Sequence, residues 1–186
     1  MTMTNSCSTD DALATEANHT LIDELISSVA MGGAKHRLRV LQRITDLFVA
    51  GSRRYSGEQI SLFDDVLQQL ATEVERKARA KLAHQLARMD KAPPKLMRVL
   101  AFDNAIDVAG PVLANSPLLS DDDLVENAAT KSQKHLYAIS QRLKLSQSVT
   151  DVLVKRGNRR VVRTVAGNPG ARFSLAGYGK LTARAL

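Results

Sequence analysis

The chain has 186 residues, an apolar content of 44% and a formal net charge of +7. This length predicts one domain with a sizeable core. Its single cysteine, Cys7, excludes an internal disulfide framework, which favours a reducing compartment. The N-terminus lacks a basic region followed by an apolar run, and no apolar stretch approaches the roughly 18 residues of a membrane span. We therefore expect a cytoplasmic protein that does not enter a membrane.

The charge is distributed unevenly along the chain. Residues 1–130 carry 14 Lys and Arg against 18 Asp and Glu, whereas residues 131–186 carry 12 Lys and Arg against Asp151 alone. The C-terminal third is therefore the basic part, which indicates an acidic partner, nucleic acid or otherwise. Aromatic residues make up only 4% of the chain, so the core is expected to consist of small and branched aliphatic side chains in closely packed helices.

The first half of the chain predicts a polar tail followed by comparatively long helices. Residues 1–18 are predicted to be disordered or loosely attached, and residues 19–186 to form a single α-helical domain. Within residues 19–90, helices are predicted over about 34–50, 56–71 and 73–89. A first helix is indicated by the spacing of Leu21, Ile22, Leu25, Ile26 and Val29.

Two of these helices carry charged residues that are expected to face solvent. Asp64 and Asp65 lie on an amphipathic helix that begins at the N-cap Ser56, with Gln59 at the third helical position. The helix over 73–89 has many opposite charges three or four residues apart, which predicts a solvated face whose charges pair within the helix.

From residue 91 onwards the pattern becomes repetitive. Helices are predicted to start near Pro93, Ser120, Ser146 and Gly170, a period of about 25–27 residues, and each is preceded by another short helix. A pair of short amphipathic helices can bury its apolar face only against neighbouring pairs. The predicted fold is therefore all-α: a right-handed α-solenoid of short antiparallel helix pairs over residues 91–186, HEAT-like, with a longer-helix N-terminal part over residues 19–90.

Three adjacent aspartates, Asp121 to Asp123, invite interpretation as a metal site. A calcium loop needs alternating oxygen ligands, a glycine at its sharp turn and a distal glutamate, and this run has none of that pattern. Ser120 and Asp123 instead have the spacing of a capping box, and Leu119 and Leu124 that of a hydrophobic staple. The run is predicted to start a helix. The segment before it carries Pro111 and predicts a short, bent helix that ends at Asn115.

Several segments carry a resemblance to a known family. APPKLMRVLAFD, VAGPVLANSPLLSDDDL, HLYAISQRLKLSQSVTDVLVKRG and VVRTVAGNPGARFS resemble a bacterial family of unknown function built from α-helical, HEAT-like repeats. The resemblance runs from about Ala34 to the end, and VAGPVLANSPLLSDDDL is its most specific segment. It implies a cytoplasmic helical-repeat protein and supplies no reaction, catalytic residue or ligand. It also implies that related chains often continue beyond the position of Leu186.

No constellation of residues predicts catalysis, a cofactor or a metal. The histidines His19, His36, His84 and His135 stand far from one another and from Cys7, which disfavours a zinc site. For His135 we expect a surface or packing role. The GYGK sequence at 177–180 is followed by Leu181 rather than Ser or Thr, so it is not a phosphate-binding loop.

The basic residues of the C-terminal third form the one candidate site. Equivalent positions of successive repeats line up in a solenoid. The basic residues over 144–163 could therefore form a stripe with Lys131, Lys134 and Arg142 that neutralises phosphate groups. We expect a non-enzymatic scaffold that binds another protein. Nucleic-acid binding is the alternative, and a repeat-fold enzyme is disfavoured because the chain has no tryptophan and no placed acid. The predicted contact residues are Lys144, Lys155, Arg156, Arg159, Arg160 and Arg163.

Overall fold

The computed structural model describes residues 32–185, so the predicted tail over 1–18 and the predicted helix over 21–29 lie outside the described residues. Regular structure within the described part is α-helical, apart from one isolated β-bridge between Leu145 and Ala171. The all-α prediction is therefore confirmed for this part. Its helices are α1 (Ala34–Gly51), α2 (Gly57–Thr72), α3 (Arg76–Leu86), α4 (Pro94–Ala101), α5 (Ile106–Asn115), α6 (Asp121–Thr130), α7 (Gln133–Ser140), α8 (Gln147–Arg156), α9 (Arg159–Ala166) and α10 (Leu175–Ala185).

The helices pack in two alternating sets. One set, which we call the first helices, consists of α3, α5, α7 and α9, and each of these contacts the next in the series. In the other set, which we call the second helices, α8 contacts both α6 and α10. The second helices, α4, α6, α8 and α10, begin at Pro94, Asp121, Gln147 and Leu175, so their starts are almost evenly spaced along the chain. One continuous aliphatic core runs between the sets, from Leu82 and Leu86 at one end to Val161 and Val165 at the other.

Helices α1 and α2 are joined by an aromatic cluster, which we define as Phe48, Tyr55 and Phe63. Their ring centroids lie 5.0 to 6.0 Å apart, and Phe48 is fully buried. The Tyr55 hydroxyl also donates to the carbonyl oxygen of Leu47 at 3.1 Å, so the side chain closes the turn between the helices. The predicted capping box is confirmed: the Ser56 hydroxyl accepts from the Gln59 amide, and the Gln59 side chain accepts from the Ser56 amide.

Asp64 is not on a solvent-facing surface, contrary to the prediction. Its side chain is 1% exposed, and its two carboxylate oxygens accept from the backbone N–H groups of Lys95 and Leu96 at 2.8 and 2.7 Å. The cause lies in α4, whose N-cap is Pro93 and which has no side-chain cap of its own. Asp64 of α2 therefore caps a helix that lies two elements further along the chain. Asp65, by contrast, is partly exposed and pairs with the Lys95 ammonium at 2.7 Å.

The charged face of α3 also differs from the prediction, because some of its charges pair with the next helix of its set. Arg79 is partly buried, and its Nε lies 2.8 Å from the Asp103 carboxylate just before α5. Arg76 pairs with Asp107 in the first turn of α5 at 3.2 Å. These ion pairs form because α3 and α5 pack side by side, which spacing within one helix does not reveal.

The start of α6 follows the prediction. The Ser120 hydroxyl accepts from the Asp123 amide at 3.1 Å, and the Asp123 carboxylate accepts from the Ser120 amide at 3.1 Å. Burial raises the pKa of Asp123, but hydrogen bonds from Ser120 and Arg98 outweigh it, so the pKa lies below its ordinary value. Leu119 and Leu124 are both buried in the core. Helix α5 carries Pro111 inside it and ends at Asn115, as predicted.

Polar side chains that lie on or just after one helix close the carbonyl end of an earlier helix of the same set. Arg142, just after α7, donates to the carbonyl oxygens of Leu113 and Ser116 at the end of α5, both at 2.8 Å. Asn168, just after α9, donates to the carbonyl oxygens of Ser140 and Arg142 at the end of α7. The last carbonyls of a helix lack partners within it, so these side chains supply the missing donors. Among the second helices, the Asn127 side chain donates to the carbonyl oxygen of Ala101, and the Arg156 guanidinium donates to that of Ala128.

Candidate binding face on the first helices

Five of the six predicted contact residues surround the turn between α8 and α9. One side of α9 is buried through Val161, Val162 and Val165. The exposed side carries Arg159, Arg160 and Arg163. Lys155 and Arg156 occupy the exposed last turn of α8. The stretch over 155–163 therefore carries these positive charges and no negative charge.

Lys144 lies apart from these five. It follows α7, close after Arg142, whose carbonyl oxygen accepts from Asn168 beyond the C-terminal end of α9. The turn between α8 and α9 is instead tied to the start of α7, because Gln133 donates to the carbonyl oxygen of Arg156 at 2.9 Å. The structure thus places Lys144 at the opposite end of α7 from the α8–α9 turn.

Several of the basic side chains considered for the stripe have structural partners, among them the Lys131 ammonium, which donates to the Asn104 side chain at 2.7 Å. The Arg142 guanidinium is partly buried against the end of α5, and burial lowers its pKa. The Arg156 guanidinium donates to the carbonyl oxygen of Ala128. Neither guanidinium is wholly available to a partner. The exposed cations of this region include those of α9, Lys155 of α8 and Lys134 of α7.

A groove runs between α5, α7 and α9. Its volume is about 370 Å³, and its floor includes the half-buried Tyr137 of α7. The Arg160 guanidinium lies over this ring, 3.8 Å from the centroid, which is a cation–π geometry. Lys134 and Gln141 precede and follow Tyr137 by one turn on the same side of α7. The remaining lining residues are Ile106, Gly110, Gln133, Ala138 and Asn158.

The end of the groove near the α8–α9 turn is held by a network of hydrogen bonds. The Gln133 side chain donates to the Arg156 carbonyl at 2.9 Å and accepts from the Asn158 amide at 2.7 Å. Asn158 in turn caps α9 by accepting from the Val161 amide. These contacts fix α7 and α9 relative to each other, which holds Tyr137 and Arg160 in place.

His135 has a packing role, which is one of the two roles expected for it. It is 2% exposed, and its Nε2–H donates to the carbonyl oxygen of Asp103 at 2.9 Å. Its Nδ1 lies 2.8 Å from the Ser132 hydroxyl. The imidazole therefore ties the start of α7 to the turn before α5.

Positive charge is concentrated on the first helices. Their formal charges are +4 for α3, −1 for α5, +1 for α7 and +3 for α9, a net of +7. The second helices carry +2 for α4, −4 for α6, +1 for α8 and +2 for α10, a net of +1. The two sets of helices thus differ in net charge, and the groove lies among the helices of the more positive set.

Comparison with known families gives one match, over the second half of the chain. Residues 108–186 match the model of a family described as "Uncharacterised protein conserved in bacteria (DUF2336)". The match begins at Val108, the first residue of the segment that was the most specific part of the resemblance. The matched range is shorter than the resemblance described from the sequence, which runs from about Ala34 to the end of the chain. No curated protein and no solved structure matches the chain.

The described residues contain neither a metal cluster nor a membrane span. Across 32–185, no three His, Cys, Asp or Glu side chains gather as a set of metal ligands. Among the ten described helices, none combines the length and apolar composition that a bilayer span requires. Sequence reasoning identified the cations of α9 and missed Tyr137, which lies on an earlier helix, α7, and is not close to Arg160 in the sequence.

Proposed function

We propose that this protein is a non-enzymatic helical-repeat scaffold that binds another protein through the groove between α5, α7 and α9. In this proposal the first and second helices form antiparallel pairs that stack as a right-handed, HEAT-like α-solenoid. The observations that support stacking are the near-constant spacing of helix starts and the capping contacts from one unit to the preceding one. A cytoplasmic location remains part of the proposal.

The observation that carries the binding proposal is the position of Arg160 over Tyr137. Tyrosine and arginine are the residues that most often dominate protein interfaces, because both combine large contact area with directed polar groups. Here they lie beside apolar groove residues and next to Lys134. This combination suits a segment of a partner that offers an apolar side chain beside a carboxylate.

Affinity capture from the native cytoplasm tests the proposal when it is done with paired variants. Tyr137→Ala and Arg160→Glu should each lose the partner that the unaltered chain retains, by about tenfold or more in recovered amount. Arg54→Glu is a control with the same charge change, at an exposed position between α1 and α2. A partner recovered equally by all four proteins, or no reproducible partner, contradicts the proposal.

Nucleic-acid binding is a second candidate, favoured by the three arginines that share one side of α9. It predicts tight binding that weakens steeply as salt rises, because phosphate contacts release counterions. Anisotropy of labelled DNA and RNA at two salt concentrations measures this directly, with Arg159→Glu/Arg160→Glu as the weakened variant. Absence of binding at micromolar protein and low salt excludes it. The protein-binding proposal is preferred because the Arg156 guanidinium already contacts backbone and because the groove offers a single aromatic ring.

A further inference from the structure

The positive charges around the groove between α5, α7 and α9 are not neutralised by the residues that the structure describes. Four exposed cations lie beside the groove or on the exposed side of α9, and none of them pairs with an acidic side chain there. They are Lys134, Arg159, Arg160 and Arg163. Asp103 and Asp107, near the start of α5, already pair with arginines of α3. The groove therefore favours a negatively charged occupant.

Arg160 can donate to such an occupant from its place over the Tyr137 ring. The guanidinium lies 3.8 Å from the ring centroid, and its side-chain N–H groups donate to no described residue. A guanidinium carries five N–H donors in a fixed planar fork, which matches the two oxygens of a carboxylate. Lys134 precedes Tyr137 by one turn, so it adds a second positive charge on the same side of α7. A carboxylate at this side of the groove can therefore accept a charge-assisted hydrogen bond from Arg160 beside the Lys134 ammonium.

The side of the groove formed by α5 is apolar, and it is open above Gly110. Ile106 and Gly110 lie one turn apart on α5, and the lining continues with the buried Ala138 of α7. Apart from its two chain neighbours, a Cβ atom at Gly110 would meet only the Ile106 side chain within 4 Å, at a distance of 3.5 Å. The fold therefore leaves the space above Gly110 open, and an aliphatic side chain of a partner would remove apolar area from water by filling it.

We infer that the occupant is an acidic segment of a partner protein, which places one aliphatic side chain above Gly110 and a neighbouring carboxylate against Arg160. Gly110 then determines the size of the side chain that the groove accepts. This assignment rests on the proposed function, because it names the chemistry of the partner at the same groove. A nucleic-acid backbone supplies negative charge through its phosphates but no aliphatic side chain for the open space, so the observations favour a protein segment.

Selection of short random peptides displayed on phage, with the immobilised full-length chain as bait, tests the chemistry of the partner. Enriched peptides should carry Asp or Glu close to Leu, Ile, Val or Met. Arg160→Glu should weaken their binding at least about tenfold, because it replaces the donor by a like charge. Arg54→Glu, at an exposed position between α1 and α2, should leave it unchanged. Enrichment of peptides without acidic residues, or no enrichment, overturns the assignment.

Gly110→Leu fills the open space, and Gly110→Ala is its matched control. Both place a Cβ atom before Pro111, whose ring crowds such an atom in a helix, so the two variants share that cost in stability. Fluorescence anisotropy of an enriched peptide should give a Kd at least about tenfold higher for Gly110→Leu than for Gly110→Ala. Thermal unfolding followed by circular dichroism establishes that both variants are folded at the temperature of the titration. Equal Kd values overturn the assignment.

Changes in the peptide test the same contacts without altering the protein. Replacing the aliphatic residue of an enriched peptide by Ala, or its acidic residue by the corresponding amide, should each weaken binding at least about tenfold. If the peptides require Tyr137 and Arg160 but tolerate both replacements and Gly110→Leu, the assignment fails while the proposed function stands. If they bind Tyr137→Ala and Arg160→Glu as tightly as the unaltered chain, both fail. Labelled DNA or RNA that displaces every enriched peptide assigns the cations to phosphate groups and also overturns the assignment.

Discussion

The N-terminal and C-terminal parts of the described chain are stabilised by different interactions. The α1–α2 hairpin rests on the aromatic cluster Phe48, Tyr55 and Phe63. From α3 onwards, the helices are joined by aliphatic packing and by polar side chains that donate to backbone carbonyl groups of an earlier helix. A hydrogen bond to a particular carbonyl tolerates only a narrow range of distance and angle, so it fixes the register in which two helices pack. From α3 onwards, polar contacts therefore help to specify how the helices pack, whereas aromatic rings do so for α1 and α2.

The largest effect is expected from Phe48→Ala, which removes the fully buried ring of the aromatic cluster. Loss of a buried phenylalanine leaves a cavity and costs about 3 to 5 kcal/mol of unfolding free energy. Urea denaturation followed by circular dichroism measures it. Leu47→Ala is the matched control, since the adjacent Leu47 is 59% exposed and should cost less than about 1 kcal/mol. Equal costs for the two variants contradict the aromatic contribution.

Arg142→Met tests the polar contacts between units. It keeps much of the apolar stem but leaves the carbonyl oxygens of Leu113 and Ser116 without their donor, at a cost of about 2 to 4 kcal/mol. Lys144→Met, at a nearby exposed position, should change stability by less than about 0.5 kcal/mol. If both variants unfold at the same urea concentration, the guanidinium does not hold α5 and α7 together.

Asp64→Ala removes the cap that α2 provides to α4 and should cost about 2 kcal/mol. Asp65→Ala removes only a partly exposed ion pair and should cost less than about 1 kcal/mol. Thermal unfolding of both variants at the same pH measures the difference. A larger loss for Asp65→Ala contradicts the assignment of Asp64 as the cap.

The smallest effect concerns acid stability, where Asp64 and Asp123 act in opposite directions. Burial raises the pKa of Asp64 above 3.8 despite its two amide hydrogen bonds. The proton-linked part of its effect on stability is therefore full below pH 3.8 and is lost as the pH rises through the raised value, whereas its hydrogen bonds to the amides of α4 remain. The pKa of Asp123 lies below 3.8, so its contribution is present above pH 3.8 and is lost as the pH falls through the lowered value.

Paired variants separate these two contributions. Asp123→Asn should lower stability by about 1 kcal/mol at neutral pH and flatten the loss of stability below about pH 3.8. Asp64→Asn should instead remove the gain in stability that appears on acidification. Urea midpoints measured across the acid range up to neutral pH provide the test, and pH profiles that change in the same direction for both variants contradict these assignments.

Local signals in the sequence predicted the helices well, because caps and breakers act within a few residues. Ser56, Ser120 and Pro111 each occupy the position that the sequence indicated. Asp64 was placed on the wrong surface because the helix that needs it begins much later in the chain, with a proline at its N-cap. The groove at Tyr137 was missed for the same reason. Its ring and the Arg160 guanidinium meet only because α7 and α9 pack side by side.

The side chains that close helix ends also give the chain an order in which it can mature during synthesis. Helix α4 receives its cap from Asp64, which leaves the ribosome earlier, so the cap is present when α4 emerges. Helices α5 and α7 receive their donors from Arg142 and Asn168, which emerge later. The C-terminal turns of these two helices therefore lack these donors until Arg142 and Asn168 have been translated.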